Sequence, residues 1–372
     1  MNDWRTCKLG DFADIQTGPF GSQLHAADYV EFGIPSIMPT NIGNRLEVRM
    51  DSIACINEAD AQRLGRYLVK ENDIVYSRRG DVEKCAFITT KQSGWLCGTG
   101  CLRVRFISTE IEPKFCAYYL STEEIKGWVS GNAVGTTMPN LNSSILKRLP
   151  LSLPPLAEQK VIAAVLSSLD DKIDLLHRQN LTLEAMTETL FRQWFVEEVQ
   201  VDWEEGVLGD IVDLIYGKAL KEEIRTGSGF PVIGSSGVVG YHSQYLVEGP
   251  GIVIGRKGTL GKVNYIFENF FPIDTTYYIK SKISSIGLFY EYSLLKTLNF
   301  ENSDSAVPGL NRGIALSEEV KIAPDNKINN FNKHCASLFA KMKANTIQIH
   351  TLEKLRDTLL PKLMSGEIRV TY

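Results

Sequence analysis

Two short turns carry the side chains best suited to chemistry in this sequence, SRRG (Ser77 to Gly80) and GRKGTLGK (Gly255 to Lys262). Each follows an apolar run that reads as a buried strand, so its cations emerge together at a strand end. Cations so placed suit phosphate, and arginine also reads guanine bidentately in a major groove, which makes Arg78, Arg79 and Arg256 candidates. The plain alternative is a solvated turn closed by ordinary salt bridges; recurrence of the pattern weighs against it. GRKGTLGK is not a nucleotide loop, because Arg256 stands where the first glycine belongs and Val263 replaces the magnesium-binding Ser or Thr. The sequence has no Asp/Asn-Pro-Pro-aromatic tetrapeptide, DExH box or GxSxG elbow, and Asp73, Asp81 and Glu83 read as strand-end solvation rather than a nuclease centre. Cys97 and Cys101 come nearest to ligand spacing, yet seven cysteines without a CxxC pair and only five histidines point to reduced, buried thiols. Catalysis and metal binding by this chain are not expected.

The elements that must position these turns are organised as a duplication. LGDFADIQTG (Leu9 to Gly18) returns as LGDIVDLIYG (Leu208 to Gly217) at an offset of 199, and GIPSI (Gly33 to Ile37) as GFPVI (Gly229 to Ile233) at 196. IVYSRRG (Ile74 to Gly80) matches IVIGRKG (Ile252 to Gly258) at 178, and MPNLN (Met138 to Asn142) matches VPGLN (Val307 to Asn311) at 169. The order is kept while the second copy shortens, which is how a diverged repeat behaves. The offset then stays at 169 through a different kind of segment, pairing LEAMTETLF (Leu183 to Phe191) with LEKLRDTLL (Leu352 to Leu360). The chain therefore reads A–B–A′–B′.

Segment B carries a heptad seam of Ile162, Leu166, Leu169, Ile173, Leu176, Leu183, Leu190 and Trp194, interrupted by Asn180 and Thr187. Segment B′ carries Phe331, Cys335, Leu338, Met342, Ile349, Leu352, Leu359 and Leu363, with Asn345 and Arg356 as polar interruptions. Pro154 and Pro155 punctuate the start of the first helix; Gly366 is the expected stop of the second, with Pro361 bending its last turns. A helix over 156–197 spans about 63 Å. An antiparallel pairing is expected, because A′ then starts where the first helix ends and returns the second along it. The A segments have short β-type runs (Asp73 to Tyr76, Leu102 to Phe106, Gly251 to Ile254, Thr275 to Ile279) between Gly, Pro, Asn and Ser clusters. The fold class expected is α+β: two strand-rich mixed α/β domains separated by an antiparallel pair of long coiled-coil helices. The boundaries are 1–153 for the first domain, 154–200 for the central helix, 201–324 for the second domain and 325–372 for the C-terminal helix.

At 372 residues the chain exceeds one ordinary core, and its net charge of -4 taken globally argues against nucleic acid. The distribution matters more than the total. Residues 60–105 hold nine Lys/Arg against five acids, while acids such as Glu197, Glu198, Asp202, Glu204 and Glu205 collect elsewhere. No apolar run is long enough for a membrane span and no signal peptide is visible, so a cytoplasmic protein is expected.

The whole chain resembles the specificity subunit of a type I restriction-modification system. The resemblance rests on LPLSLPPLAEQKVIAAVLSSLDDKIDLL (Leu149 to Leu176), LEKLRDTLLPKLMSGEI (Leu352 to Ile368), LGDFADIQTG and the GRKGTLGK turn. It implies two target-recognition domains, each reading one half of a bipartite site in double-stranded DNA, with the helix pair as spacer. It further implies two modification subunits docked on this chain and two restriction subunits beyond them. S-adenosylmethionine, ATP and magnesium would belong to those partners, with no cofactor in this chain and no membrane. One departure is KIAPDNKINNF (Lys321 to Phe331), which lacks the PPLAEQ that opens the first helix.

The candidate DNA contacts in the first domain are Gly18, Phe20, Ser22, Asn41, Arg78, Arg79, Lys84, Arg103, Arg105, Thr137 and Asn140. Those in the second are Ser235, Ser236, Arg256, Lys257, Thr259, Lys262, Asn311 and Arg312. GPFGS (Gly18 to Ser22) and GSSGVVG (Gly234 to Gly240) are loops where backbone could approach a ligand, with plain turns as the alternative. Two rival classes compete with a DNA reader: a structural adaptor whose globular ends bind proteins, and a self-contained DNA-modifying enzyme, against which the missing motifs count.

Overall fold

The computed structural model describes residues 4–135, 138–199, 203–283, 286–300 and 309–370. The chain forms two compact units, Met1–Ile173 with Thr351–Tyr372, and Asp174–His350. The division falls inside both long helices, so each unit is completed by a piece of each helix. The helices are thus not a module separate from the domains.

In the first unit β1 (Arg5–Lys8) pairs antiparallel with β10 (Pro150–Leu153). Strands β2 (Ala13–Thr17), β9 (Cys101–Phe106), β6 (Ile74–Ser77) and β7 (Cys85–Phe87) form one sheet in that order. A second sheet runs β3 (Tyr29–Val30), β5 (Ala54–Ile56), β4 (Ile34–Ile37) and β8 (Leu96–Cys97), with β4 and β8 parallel. The second unit repeats this plan. Strands β11 (Glu204–Val207) and β19 (Glu319–Ile322) pair as β1 and β10 do. The larger sheet runs β12 (Val212–Tyr216), β18 (Thr276–Ser281), β15 (Gly251–Gly255) and β16 (Val263–Ile266). The smaller one runs β14 (Gly237–His242), β13 (Phe230–Gly234) and β17 (Phe271–Pro272), with β13 and β17 parallel. Strand β5 and the helix Glu58–Arg63 lie between β4 and β6, where the second unit has only the tight β13–β14 hairpin. That exchange accounts for the fall in offset from 196 to 178. The expected strands lie within a residue or two of β6, β9, β15 and β18. Strands β6 and β15 are buried along their whole length, which is why their sequences run apolar without alternation.

The first long helix spans Leu156–Arg192 and passes into a π-helical turn, Gln193–Glu197. The second spans Asp325–Ser365, runs through Pro361, and stops at Gly366 with φ +73°. Their starts keep the offset of 169, each following a proline, Pro155 or Pro324. In the first unit Glu158 accepts two hydrogen bonds from Arg369 (2.7 and 3.0 Å) and Asp170 Oδ1 accepts one from Arg356 (3.0 Å). In the second unit Asn345 donates to Asn180 (2.9 Å) and Phe331 packs on Phe191, Trp194 and Phe195. Within each unit partners rise in number along one helix as they fall along the other, so the pairing is antiparallel.

The seam residues Ile162, Leu166, Ile173, Leu176, Met342, Ile349 and Leu363 are buried, and Leu169, Leu183, Leu190, Leu338, Leu352 and Leu359 are half-buried. At one place the seam shifts: Phe339, not Leu338, is the buried residue, because Phe289 and Tyr265 of the second unit stack on its ring at 4.3 and 4.8 Å. The PPLAEQ departure also has an internal cause. Gln159 is buried, bonded to Pro154 O and Glu110 O and to the Glu112 amide, while its counterpart Ile328 is a buried apolar residue. Glu158 meets Arg369, and its counterpart Lys327 meets Glu198 with the charges reversed.

Arg356 is largely shielded between Asp170 and Asp357, and Asp170 also accepts from the Tyr118 hydroxyl at 2.6 Å. Removing the cation leaves a half-buried carboxylate without its charged donor. Arg356→Ala is expected to lower stability by about 1.5–3 kcal/mol in urea denaturation of the full chain; unchanged stability would show that this tie does not hold the helices.

Candidate nucleic-acid interface

The repeated motifs meet at one place in each unit. Strand β6 ends at Ser77, and the next residue, Arg78, donates its backbone N–H to Gly100 O (2.7 Å) while its carbonyl accepts from Leu141 N–H (2.9 Å). Strand β15 ends at Gly255, and Arg256 repeats the arrangement with Thr275 O (2.9 Å) and Leu310 N–H (2.9 Å). Leu141 and Leu310 are the leucines of MPNLN and VPGLN, so that motif serves to hold the arginine backbone. The asparagines that follow, Asn142 and Asn311, cap the helices Ser143–Lys147 and Arg312–Leu316 through their side-chain oxygens. The motif glycines are packing positions: a Cβ on Gly18 would lie 2.2 Å from Gly98 O, and one on Gly217 2.2 Å from Ile273 O.

The side chains of the two arginines have aromatic neighbours. The Arg78 guanidinium lies 5.8 Å from the centre of the Phe20 ring, and that of Arg256 lies 4.9 Å from Tyr216 and 5.7 Å from Tyr277. These are cation–π distances. Tyr216 was not among the residues expected from sequence, although its place directly before the motif glycine was visible. The GSSG turn of the second unit joins the same site, as Lys262 Nζ donates to Ser236 O (2.7 Å) and Ser235 packs beside Gly255 and Gly258. GRKGTLGK is closed by its own backbone, Gly255 N–H to Lys262 O and Gly261 N–H to Gly255 O, and leads into β16 rather than a helix. A phosphate-binding loop needs that helix N-terminus.

The remaining expected cations separate by their partners. Arg103, with its side chain only 5% exposed, donates to Arg66 O (2.7 Å) and Asp14 (3.0 Å). Arg105 grips Asp73 with two hydrogen bonds (2.9 and 2.6 Å) and also reaches Leu68 O. Both guanidinium groups are engaged by partners of the first unit itself, where the sequence led us to expect them at a DNA surface. Residues two apart on a strand share a face, and here that face is covered by the segment running from Arg66 to Asp73. Arg312 is tied to Asp213 and Leu214 O, while Lys84 makes only a surface pair with Asp81. Asn41 is buried, accepting from Met38 N–H and donating to Asp51 O, and is a turn residue, not a ligand contact. Asn140 exchanges backbone hydrogen bonds with Val134. Thr137 lies outside the described residues, as does the side chain of Ser22. Arg78, Arg79, Arg256, Lys257 and Lys262 have no carboxylate partner among the described residues, and Arg79, Lys257 and Thr259 are exposed. Among the described residues no group of His, Cys, Asp or Glu could hold a metal ion, and burial pushes the Cys97 thiol up to about 12.

The sequence matches the family model described as type I restriction modification DNA specificity domain over residues 1–185 and 200–357. It is 24% identical to the type I restriction enzyme MjaIX specificity subunit of Methanocaldococcus jannaschii, covering 99% of this chain and 94% of that one. It is 21% identical to the HindI specificity subunit of Haemophilus influenzae, covering 99% of this chain and 100% of that one. The crystal structure of a type I restriction-modification S subunit from M. genitalium shares the fold at a TM-score of 0.60 and 21% identity, covering 99% of this chain and 97% of that one.

The separation of cations gives a direct test by urea denaturation of the full chain. Arg103→Ala removes a buried side chain and leaves the Arg66 carbonyl without its donor, and is expected to lower stability by about 1.5–3 kcal/mol, whereas Arg79→Ala is expected to change it by less than about 0.5 kcal/mol. Equal effects would contradict the division into internal and available cations.

Proposed function

The chain belongs to the family of type I restriction-modification DNA specificity proteins, and from that premise we propose that each unit reads one half of a bipartite DNA site. It is a non-catalytic specificity subunit, supplying DNA sequence specificity to a complex assembled with other subunits. The observation that carries the two-headed reading is the repeated arginine seat: one chain builds the same backbone frame twice, with different side chains around it. Two copies of one frame with divergent surfaces suit two unlike half-sites. Tethering them makes the second contact intramolecular, so avidity rises without new contacts.

In this proposal the long helices set the interval between readers and dock two modification subunits, with two restriction subunits joining them. S-adenosylmethionine, ATP and magnesium act on those partners, which supply the chemistry that the motifs of this chain lack. The internal explanation of the PPLAEQ departure supports equivalent docking at both ends, since Gln159 and Ile328 each serve their own unit. Partner cations complete the grip on the duplex, which reconciles DNA binding with a net charge of -4. No helix among the described residues is long and apolar enough to cross a membrane, and a cytoplasmic location is part of the proposal.

The test is methylation mapping across the genome of a host without other methylases. The chain is expressed with its modification subunit, then again with residues 206–322 exchanged for another recognition domain. A bipartite motif of which one half changes is the expected result. A motif indifferent to the exchange, or none from a verified complex, would favour an adaptor.

A further inference from the structure

We propose that Arg78 and Arg256 are the base-reading residues of the two units, each positioned toward a guanine by a neighbouring aromatic ring, and that Arg79 and Lys257 beside them contact phosphate. The inference rests on the DNA-specificity reading and assigns roles within it.

Four observations converge on this division. First, Arg78 and Arg256 are equivalent: each follows the buried central strand of its sheet and is fixed at both backbone N–H and carbonyl by the same pair of partners. Neither side chain can drift with a mobile loop, which base reading needs and phosphate contact does not. Second, each guanidinium lies near a ring that the fold leaves exposed, Phe20 at 58% and Tyr216 at 52%. A ring beside the guanidinium restricts its rotation; Arg256 is held further by a hydrogen bond from Nη1 to Asp274 O (3.2 Å), and the part of each fork not so held is its donor edge. That edge matches O6 and N7 of guanine. Third, neither arginine has a carboxylate partner among the described residues, whereas Arg103, Arg105 and Arg312 all do. Fourth, the next residue in each unit, Arg79 or Lys257, is exposed and has no ring beside it among the described residues. One position tolerates lysine and the other is arginine both times, as expected if the first contact needs only charge and the second needs a planar fork.

Phe20 and Tyr216 are then positioning residues. The two rings come from different sequence positions, two residues after Gly18 and one before Gly217, yet reach the equivalent arginine. Arrival by separate routes argues for a shared demand rather than inheritance.

The test uses the full chain in complex with its modification subunit. Methylation motifs are mapped, and binding is measured to duplexes in which each G·C pair of the site is replaced in turn, over a salt series. Arg78→Lys keeps the charge and loses the fork. It is expected to abolish discrimination at one G·C pair of one half-site, a loss of about ten- to hundredfold, with the salt slope unchanged. Arg256→Lys is expected to do the same in the other half-site. Phe20→Leu and Tyr216→Leu alter exposed rings, so unchanged melting checks the fold; each is expected to relax the same base pair as its arginine. Arg79→Ala and Lys257→Ala are expected to weaken all sequences alike and lower the salt slope by about one. Uniform weakening in Arg78→Ala with a lower salt slope would make Arg78 a phosphate contact and overturn the assignment. So would Phe20→Leu and Tyr216→Leu proteins with wild-type motifs. A wild-type complex without any bipartite motif would instead sink the specificity reading, and this inference with it.

Discussion

The apolar seam of the two long helices is the constraint around which the chain is arranged. Helices of 37 and 41 residues expose a continuous stripe that water disfavours, and neither strand-rich domain could cover it alone. Each unit resolves this locally by packing antiparallel pieces of both helices against its own sheet. In the first unit Ile162, Leu166 and Leu363 join Phe115 and Leu151 in one core. In the second, Phe191, Phe195, Phe331 and Phe339 join Tyr290 and Ile254. The main core of each unit is therefore shared with the helices, while smaller clusters such as Ile37, Val75 and Ile88 in the first unit and Ile233, Val253 and Phe270 in the second pack without them. Polar contacts at a few seam positions add direction to what apolar burial leaves free. Asn345 Nδ2 donates to Asn180 Oδ1, and Arg356 to Asp170, only in the observed alignment, so a slip along the seam would bury a polar group against an apolar one.

The duplicated backbone and the divergent side chains divide the labour of recognition. The frame is the same in both units: Gly18 and Gly217 allow the close approach of a neighbouring carbonyl, Leu141 and Leu310 hold the arginine, and Asn142 and Asn311 cap the next helix. Support around the frame is rebuilt. Asp14 pairs with Arg103 from strand β9, while the matching Asp213 pairs with Arg312 from a helix. A fold can keep its geometry by such substitutions while its surface changes, which suits the proposed reading of two unlike half-sites.

Much of this was legible because repeats and periods are local properties of sequence. The motif offsets located equivalent strands, and the heptad pattern located both helices, including the shared offset of 169 at their starts. What could not be read depended on partners distant in the chain. Arg103 and Arg105 looked like surface cations because the carboxylates that hold them, Asp14 and Asp73, lie 89 and 32 residues away. Leu338 fitted the heptad, but the pattern counts only a helix partner and Phe339 is buried by rings of the domain. Tyr216 escaped notice because a strand-end aromatic is ordinary until an arginine is placed over it. The domain boundaries were drawn where composition changes, whereas the compact units divide inside helices of uniform character.

The central claim is that one chain reads two half-sites at a fixed interval. Its most direct test is methylation, by the wild-type chain with its modification subunit, of duplexes that keep both mapped half-sites but gain one base pair between them. That insertion moves one half-site by about 3.4 Å and rotates it about the duplex axis. The account predicts that methylation is largely lost although every base either unit reads is present. Methylation at the original rate would contradict it, because two readers held at a set interval cannot ignore the distance between their targets.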